Sequence, residues 1–333
     1  MHKLKGYKGI LFVGDPHIWS KKPGKRLDAD FTHTVLDKLN QAVEIANKEN
    51  LYLIILGDLF HVDDENNIEM LTKLVRIFKK LPEPCASVEG NHEKSQLTLS
   101  DDVAMCLFRE AHVVHTLEKN GLAIQMDIDG KTVLIGSTPY GSKLPDEVKL
   151  PAKIDDAFVI WLTHDNLDFG ESYPGVVPVK EIQGCQMLVN GHIHKTKKPK
   201  KVGAMIAHNP GNITRLSTDC ADHVPAVWKW VPEQGQELEP IALKFHKDVF
   251  NLIGKQIEVE VSPTMVQEEL TVKQTSQFVE KMEQQLLEDQ DKTDDGDHIK
   301  NSIRALGLAM QLEEDFMKDL IEIAEETLKE ENK

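Results

Sequence analysis

The sequence predicts an α/β fold of two packed sheets with helices on their outer faces, followed by a helical extension. Three observations carry this. Short apolar runs alternate with stretches of helical periodicity through the first half of the chain. An Asp129-Gly130 hairpin signal then replaces parallel strands with antiparallel ones. Beyond about residue 262 the composition turns acidic, and Met265 to Gln290 contains neither glycine nor proline.

Taken in order, the first strand is Ile10 to Gly14, running into Asp15-Pro16-His17. A basic loop with Lys21, Lys22, Lys25 and Arg26 leads to a helix over about 30–50, whose Val35, Leu39, Ala42, Val43 and Ala46 share one face. Leu51 to Leu56 forms the next strand and ends in Gly57-Asp58. A second helix over 66–80 carries Ile68, Leu71, Leu74, Val75 and Phe78, and Pro82 and Pro84 stop it. Ala86 to Gly90 runs into Asn91-His92, and Ala123 to Asp129 pairs with Lys131 to Gly136. Phe158 to Leu162 leads to Thr163-His164, and Gln186 to Val189 to Asn190-Gly191-His192-Ile193-His194. Further strands are expected at 204–208, 226–230 and 240–245. Ser262-Pro263 is a good helix start, and helices over 265–290 and 298–329 follow, separated by the polar break 291–297.

Composition narrows the function classes. A chain of 333 residues can bury a sizeable core. Met1 to Lys8 lacks the apolar run of a secretory signal, and no apolar stretch approaches the roughly eighteen residues of a membrane span. Cys85, Cys106, Cys185 and Cys220 form no Cys-x-x-Cys pair, which argues against a thiolate zinc site or disulfide framework and fits a reducing cytoplasm. The net charge of −16 opposes a nucleic-acid partner only superficially. Residues 263–333 hold 19 acidic and 8 basic side chains, whereas the remaining 262 residues hold 36 and 31. The acidity belongs mainly to the tail.

Five strand ends therefore deliver metal-type side chains to one crest: Asp15, His17, Asp58, Asn91, His164, His192 and His194. Two carboxylates, one amide and four imidazoles, without a thiolate, suit Mn²⁺, Fe²⁺ or Zn²⁺. Seven donors exceed the needs of one tetrahedral ion. Two divalent ions sharing a carboxylate would use them, an arrangement suited to in-line displacement at phosphorus.

The order Asp-x-His, Gly-Asp, Gly-Asn-His, a lone His, then Gly-His-x-His resembles the calcineurin-like metallophosphoesterases. Within them the chain is similar to the SbcD-type DNA repair exonucleases, the nuclease subunits of Mre/Rad-type double-strand-break complexes, a bacteriophage member being one form of that likeness. Gly57-Asp58-Leu59-Phe60-His61 and Asn209-Pro210-Gly211-Asn212 to Arg215 carry this narrower resemblance. It covers roughly residues 8–220 and implies a four-layer α/β/β/α sandwich. With the composition shift near residue 262, the expected division is a nuclease domain over 1–232, a β linker or reduced capping segment over 233–262, and an acidic helical partner-binding extension over 263–333.

Residue by residue, the resemblance places one ion on Asp15, His17, Asp58 and His194, and the second on Asp58, Asn91, His164 and His192. A hydroxide between the ions would attack phosphorus. His92 would stabilise the developing charge or protonate the leaving oxygen, and His61 would orient phosphate and His92. Asn212 stands where the family has serine, and Asp63-Asp64-Glu65 follows His61 where Ser and Pro are usual, placing an acidic loop beside the expected DNA path.

Two basic stretches flank the motifs: Lys21, Lys22, Lys25 and Arg26 after His17, and Lys195, Lys197, Lys198, Lys200 and Lys201 after His194. They are candidates for holding a DNA backbone, against the plainer reading of solvated charge. The resemblance implies that the tail docks on an SbcC/Rad-type ATPase; packing on its own domain or forming a homodimer would use the same apolar stripes. The leading expectation is a Mn²⁺-dependent DNA nuclease. Its rivals are a phosphomonoesterase or small-molecule or cyclic-nucleotide phosphodiesterase of the same superfamily, and a non-catalytic metal-binding scaffold for an ATPase. Gly57-Asp58 is not followed by the Arg-Gly of protein Ser/Thr phosphatases.

Overall fold

The computed structural model describes residues 1–251 apart from 94–98 and 171–176, so the helices expected within 263–333 lie outside the described residues. The strands in chain order are β1 (His2–Lys5), β2 (Gly9–Val13), β3 (Leu51–Ile55), β4 (Cys85–Val88), β5 (Val114–Leu117), β6 (Gly121–Ile128), β7 (Lys131–Thr138) and β8 (Phe158–Thr163), then β9 (Leu167–Asp168), β10 (Val177–Pro178), β11 (Met187–Asn190), β12 (Lys197–Val202), β13 (Met205–Asn209), β14 (Ala226–Trp230) and β15 (Glu239–Ala242). The helices are α1 (Phe31–Glu49), α2 (Ile68–Phe78) and α3 (Ala104–Glu110).

One sheet has the order β15-β14-β2-β3-β4-β5, and the other β1-β6-β7-β8-β11-β13-β12. In the first, β2 to β5 are parallel and adjacent in chain order. Right-handed crossovers between strands added in one direction put every connecting helix on the same face. Leu11, Val13, Leu53 and Ile55 on that face bury themselves with Val35, Leu39 and Val43 of α1, Leu71 and Leu74 of α2, and Phe108 of α3. Asp30 caps α1 by accepting from the His33 N–H at 2.9 Å, and Asn67 caps α2 by accepting from Met70 at 3.0 Å.

The alternate residues Ile10, Phe12, Tyr52, Ile54, Ala86 and Val88 point the other way and meet Ile124, Met126, Val133, Ile135, Ile160, Leu162, Met187 and Val189 of the second sheet. Strands buried on both faces explain the unbroken apolar runs of the sequence. The result is a mixed α/β fold of two packed sheets, as expected, with α1, α2 and α3 flanking the first sheet. Among the described residues, the outer face of the second sheet is covered by irregular connections. Leu144, Val148, Ile154, Leu167, Val179 and Ile182 pack there on Leu134, Val159, Trp161 and Leu188.

Several elements were not expected. The lysine run after His194 is the edge strand β12, antiparallel to β13. Helix α3 and strands β1 and β5 are too short to show a period. Beyond β15, the Leu27 N–H donates to the Val249 carbonyl at 2.8 Å, bringing that part of the chain back beside α1.

Candidate metal centre

The carboxyl ends of β2, β3 and β4 in one sheet, and of β8 and β11 in the other, meet at one end of the sandwich. The expected crest is thus shared by two sheets. At it the chain turns through left-handed backbone at Asp15 (φ 24°), His17 (φ 45°), Asp58 (φ 48°) and His192 (φ 69°). Non-glycine residues there cost about 1–3 kcal/mol each, and such strain gathers at functional sites. The loops are locked together where the His17 N–H donates to the Asp58 carbonyl at 2.9 Å and the Ile18 N–H to the Leu59 carbonyl at 2.8 Å. Gly57 (φ 102°) and Gly191 are sterically required: a Cβ would lie 2.3 Å from His164 Nδ1 at the former and 2.1 Å from the Leu56 carbonyl at the latter.

All seven expected donors come together, in two adjacent clusters. Asp15, His17 and His194 form one, and Asp58, His164 and His192 the other. Asn91 joins the second, its Oδ1 lying 3.2 Å from His164 Nε2 and 3.0 Å from His192 Nδ1. Asp58 Oδ2 reaches both groups, at 3.0 Å from His164 Nε2 and 3.6 Å from His17 Nε2. His164 Nδ1 donates to the Leu56 carbonyl at 2.7 Å, which leaves Nε2 for the site.

The electrostatics ask for cations. Burial pushes the Asp15 carboxyl up to about 7, with His164 opposing. Both its oxygens are buried without a well-formed hydrogen bond. Burial also opposes charge on Asp58, but His164 and His17 beside it hold its carboxyl well below the usual range. Asp58 in turn outweighs the burial of His164 and raises it to about 10. Burial lowers His17 well below its ordinary value, and lowers His61 to about 4 and His192 to about 3. His17 and His194 present Nε2 atoms to each other at 2.9 Å, a contact that needs a shared proton or a cation. A buried carboxylate without a well-formed hydrogen bond, beside the His17 and His192 imidazoles that burial keeps neutral, is a fitting donor set for divalent metal.

His92 and His61 lie beside the first cluster: ring nitrogens of His17, His61 and His92 fall within 4.8 Å of one another. The His92 backbone N–H donates to Asp58 Oδ1 at 3.0 Å, and its Nδ1 donates to the His61 carbonyl at 2.7 Å, so its orientation is fixed by the loops it serves. One residue sequence reading missed is Glu93. It is buried, and accepts from the Leu59 N–H and the Gly90 N–H, both at 2.8 Å, tying the Asp58 loop to the Asn91 loop. Burial raises its carboxyl to about 8.

The basic stretches divide. Lys21, Lys22 and Lys25 are exposed. Arg26 is not available to a nucleic-acid backbone, which corrects that expectation. It is 2% exposed, holds Asp28 through Nε and Nη2 at 2.6 and 2.9 Å, and donates to the Thr214 and Arg215 carbonyls. Lys195 pairs with Asp222 at 3.4 Å, and Lys200 donates to the Asp168 carbonyl at 2.6 Å. Lys198 and Lys201 are exposed and Lys197 half-buried on β12. The expected acidic loop is partly internal: Glu65 is buried and accepts from the Ser20 and Asn67 N–H groups. His208, just before the Asn209-Pro210-Gly211 turn, faces the Gln236 carbonyl at 2.8 Å.

Fold and donor set together define a class, the two-sheet α/β hydrolases that work with divalent metal. The chain belongs to the calcineurin-like phosphoesterase family, whose pattern it matches over residues 9–196, more than half its length. Membership implies a phosphoester hydrolase using divalent ions. Similar solved structures include an archaeal phosphodiesterase, 16% identical, covering 70% of this chain and 99% of that one with a TM-score of 0.35. A 5'-nucleotidase precursor from Thermus thermophilus is 12% identical, covering 70% of this chain and 54% of that one with a TM-score of 0.41. The NAD nucleotidase of Haemophilus influenzae is 12% identical, with corresponding coverages of 70% and 48% and a TM-score of 0.41. The chain spans about half the length of these two nucleotidases. No curated protein matches it. Among the described residues no helix is long and apolar enough to cross a membrane.

Proposed function

We propose that the chain is a two-metal, Mn²⁺-dependent phosphodiesterase that cleaves DNA in repair, recombination or replication. The observation that carries the reading is the pair of donor clusters joined by Asp58 and flanked by His92. Asp15, His17, Asp58 and His194 would hold one ion and Asp58, Asn91, His164 and His192 the other. When bound, such ions supply Lewis-acid charge and lower the pKa of water. His92 has its Nδ1 committed to the His61 carbonyl. Its Nε2 is the atom left to hydrogen-bond a non-bridging phosphate oxygen or give a proton to the leaving oxygen. His61 holds His92 by that carbonyl and by ring stacking at 5.2 Å.

Support for DNA over a small ester comes from the lysines that follow His194 along β12. Antiparallel to β13, this strand starts beside Asn209 at the crest and runs away from it. Its lysines line an edge instead of surrounding the metals. Labelled linear and hairpin DNA incubated with Mn²⁺ should be cleaved, and His92→Ala should slow cleavage by about 10²–10⁴-fold. Hydrolysis of a generic phosphomonoester with DNA left intact would overturn the reading.

The acidic tail is proposed to bind an SbcC/Rad-type ATPase in the cytoplasm, or the host cytoplasm for a bacteriophage protein. Cys85, Cys106 and Cys185 are buried thiols outside any disulfide, which is compatible with that compartment. Deleting 263–333 should abolish ATPase binding while metal content is kept; full binding by the truncated chain would contradict the assignment, and a homodimer through the tail would show as loss of self-association instead.

A further inference from the structure

Two half-buried aromatic side chains that no motif includes stand at opposite flanks of the candidate metal centre. Trp19 lies 4.5 Å, centroid to centroid, from His61, which stacks on His92 at 5.2 Å and 17°. Tyr140 lies 5.6 Å from His192 at 34°, and 6.3 Å from His164. Each aromatic therefore ends a row of rings that starts at one cluster, Trp19 on the His17 and His92 side and Tyr140 on the His164 and His192 side. The backbone is anchored at both: the Trp19 carbonyl accepts from Thr32 Oγ1 at 2.8 Å, and the Tyr140 N–H donates to the Glu89 carbonyl at 3.0 Å.

We infer that Trp19 and Tyr140 are stacking platforms for the nucleobases on the two sides of the scissile phosphate, making the site selective for nucleotide diesters with a base on each flank. The inference rests on the phosphodiesterase reading above. A phosphate held between the clusters has one ester arm directed to each flank. Bases offer π-faces that stack on aromatic side chains without sequence preference, and a nucleic-acid backbone carries one base per phosphate on either side. Two platforms are of no use to a phosphomonoester, which has a single arm. The alternative role, packing that merely orients His61 and His192, would change turnover without regard to the presence of a base.

The test uses single-stranded oligonucleotides of one length in which the nucleotide 5' or 3' of a single labile phosphate is either normal or abasic, with Mn²⁺ and the full-length protein. Wild type should prefer the base-bearing form by about tenfold in kcat/KM at each flank. In Tyr140→Ala the preference should vanish at one flank, and in Trp19→Ala at the other. Tyr140→Phe and Trp19→Phe should retain it, which separates stacking from a folding defect. Equal rates for normal and abasic forms in wild type, or an unchanged preference in both alanine variants, would overturn the platforms while leaving the nuclease reading in place. Failure to cleave any oligonucleotide, with bis(p-nitrophenyl) phosphate still hydrolysed, would overturn the nuclease reading and the platforms with it.

Discussion

At the residue scale the protein carries charged side chains whose burial is compensated only in the folded chain. Lys38 is an example outside the metal site. It is 2% exposed, donates to the Ile213 carbonyl at 2.7 Å, and is driven down to about 7 by burial and by Arg26 and Arg215 nearby. The unfolded chain keeps this lysine protonated to about 10.4, so between pH 7 and that value the unfolded state binds the extra proton. Stability contributed through Lys38 therefore rises with pH across this window and is lost as pH falls through 7. Lys38→Met has no such term. The stability of wild type relative to this variant, followed by urea denaturation of the metal-loaded protein, should increase from pH 7 to pH 10; parallel profiles would contradict the assignment. Asp15, His17, Asp58, Asn91, His164, His192 and His194 were legible in sequence because each ends an apolar run. Glu93, Lys38 and Arg26 were not. Charged residues are read as exposed by default, and the partners that bury Glu93 and Arg26 lie 34 and 188 positions away.

At the element scale, the strands that carry the donors were legible because burial on both faces makes them apolar throughout. Strand β12 was not, since its Lys-Lys-Pro-Lys-Lys sequence has the charge and proline of a protected sheet edge. If that edge meets DNA, its lysines act as phosphate contacts, each adding to the salt dependence. Reversing Lys197, Lys198 and Lys201 to Glu should weaken binding and lower the slope of log K against log salt by about three. An unchanged slope would remove β12 from the interface. Neither the shared crest nor its left-handed turns at Asp15, His17, Asp58 and His192 is written in any local period. They arise where two sheets meet.

At the scale of the whole molecule, each sheet supplies half of a site that neither completes. The helix-flanked sheet brings Asp15, His17, Asp58 and Asn91, and the other brings His164, His192 and His194. The apolar contact between the inner faces of the two sheets is thus also what brings donors of both sheets together, within 4.8 Å of one another in the Asp15, His17 and His194 cluster and again in the Asp58, His164 and His192 cluster. Ions that bind only this arrangement should stabilise it by mass action. The central claim is that these donors form two linked sites bridged by Asp58. Direct metal analysis of purified chain equilibrated with Mn²⁺ should find two ions per wild-type molecule and at most one in Asp58→Asn, whose turnover should fall more than about 100-fold. One ion in wild type, or two retained in the variant with normal turnover, would contradict it.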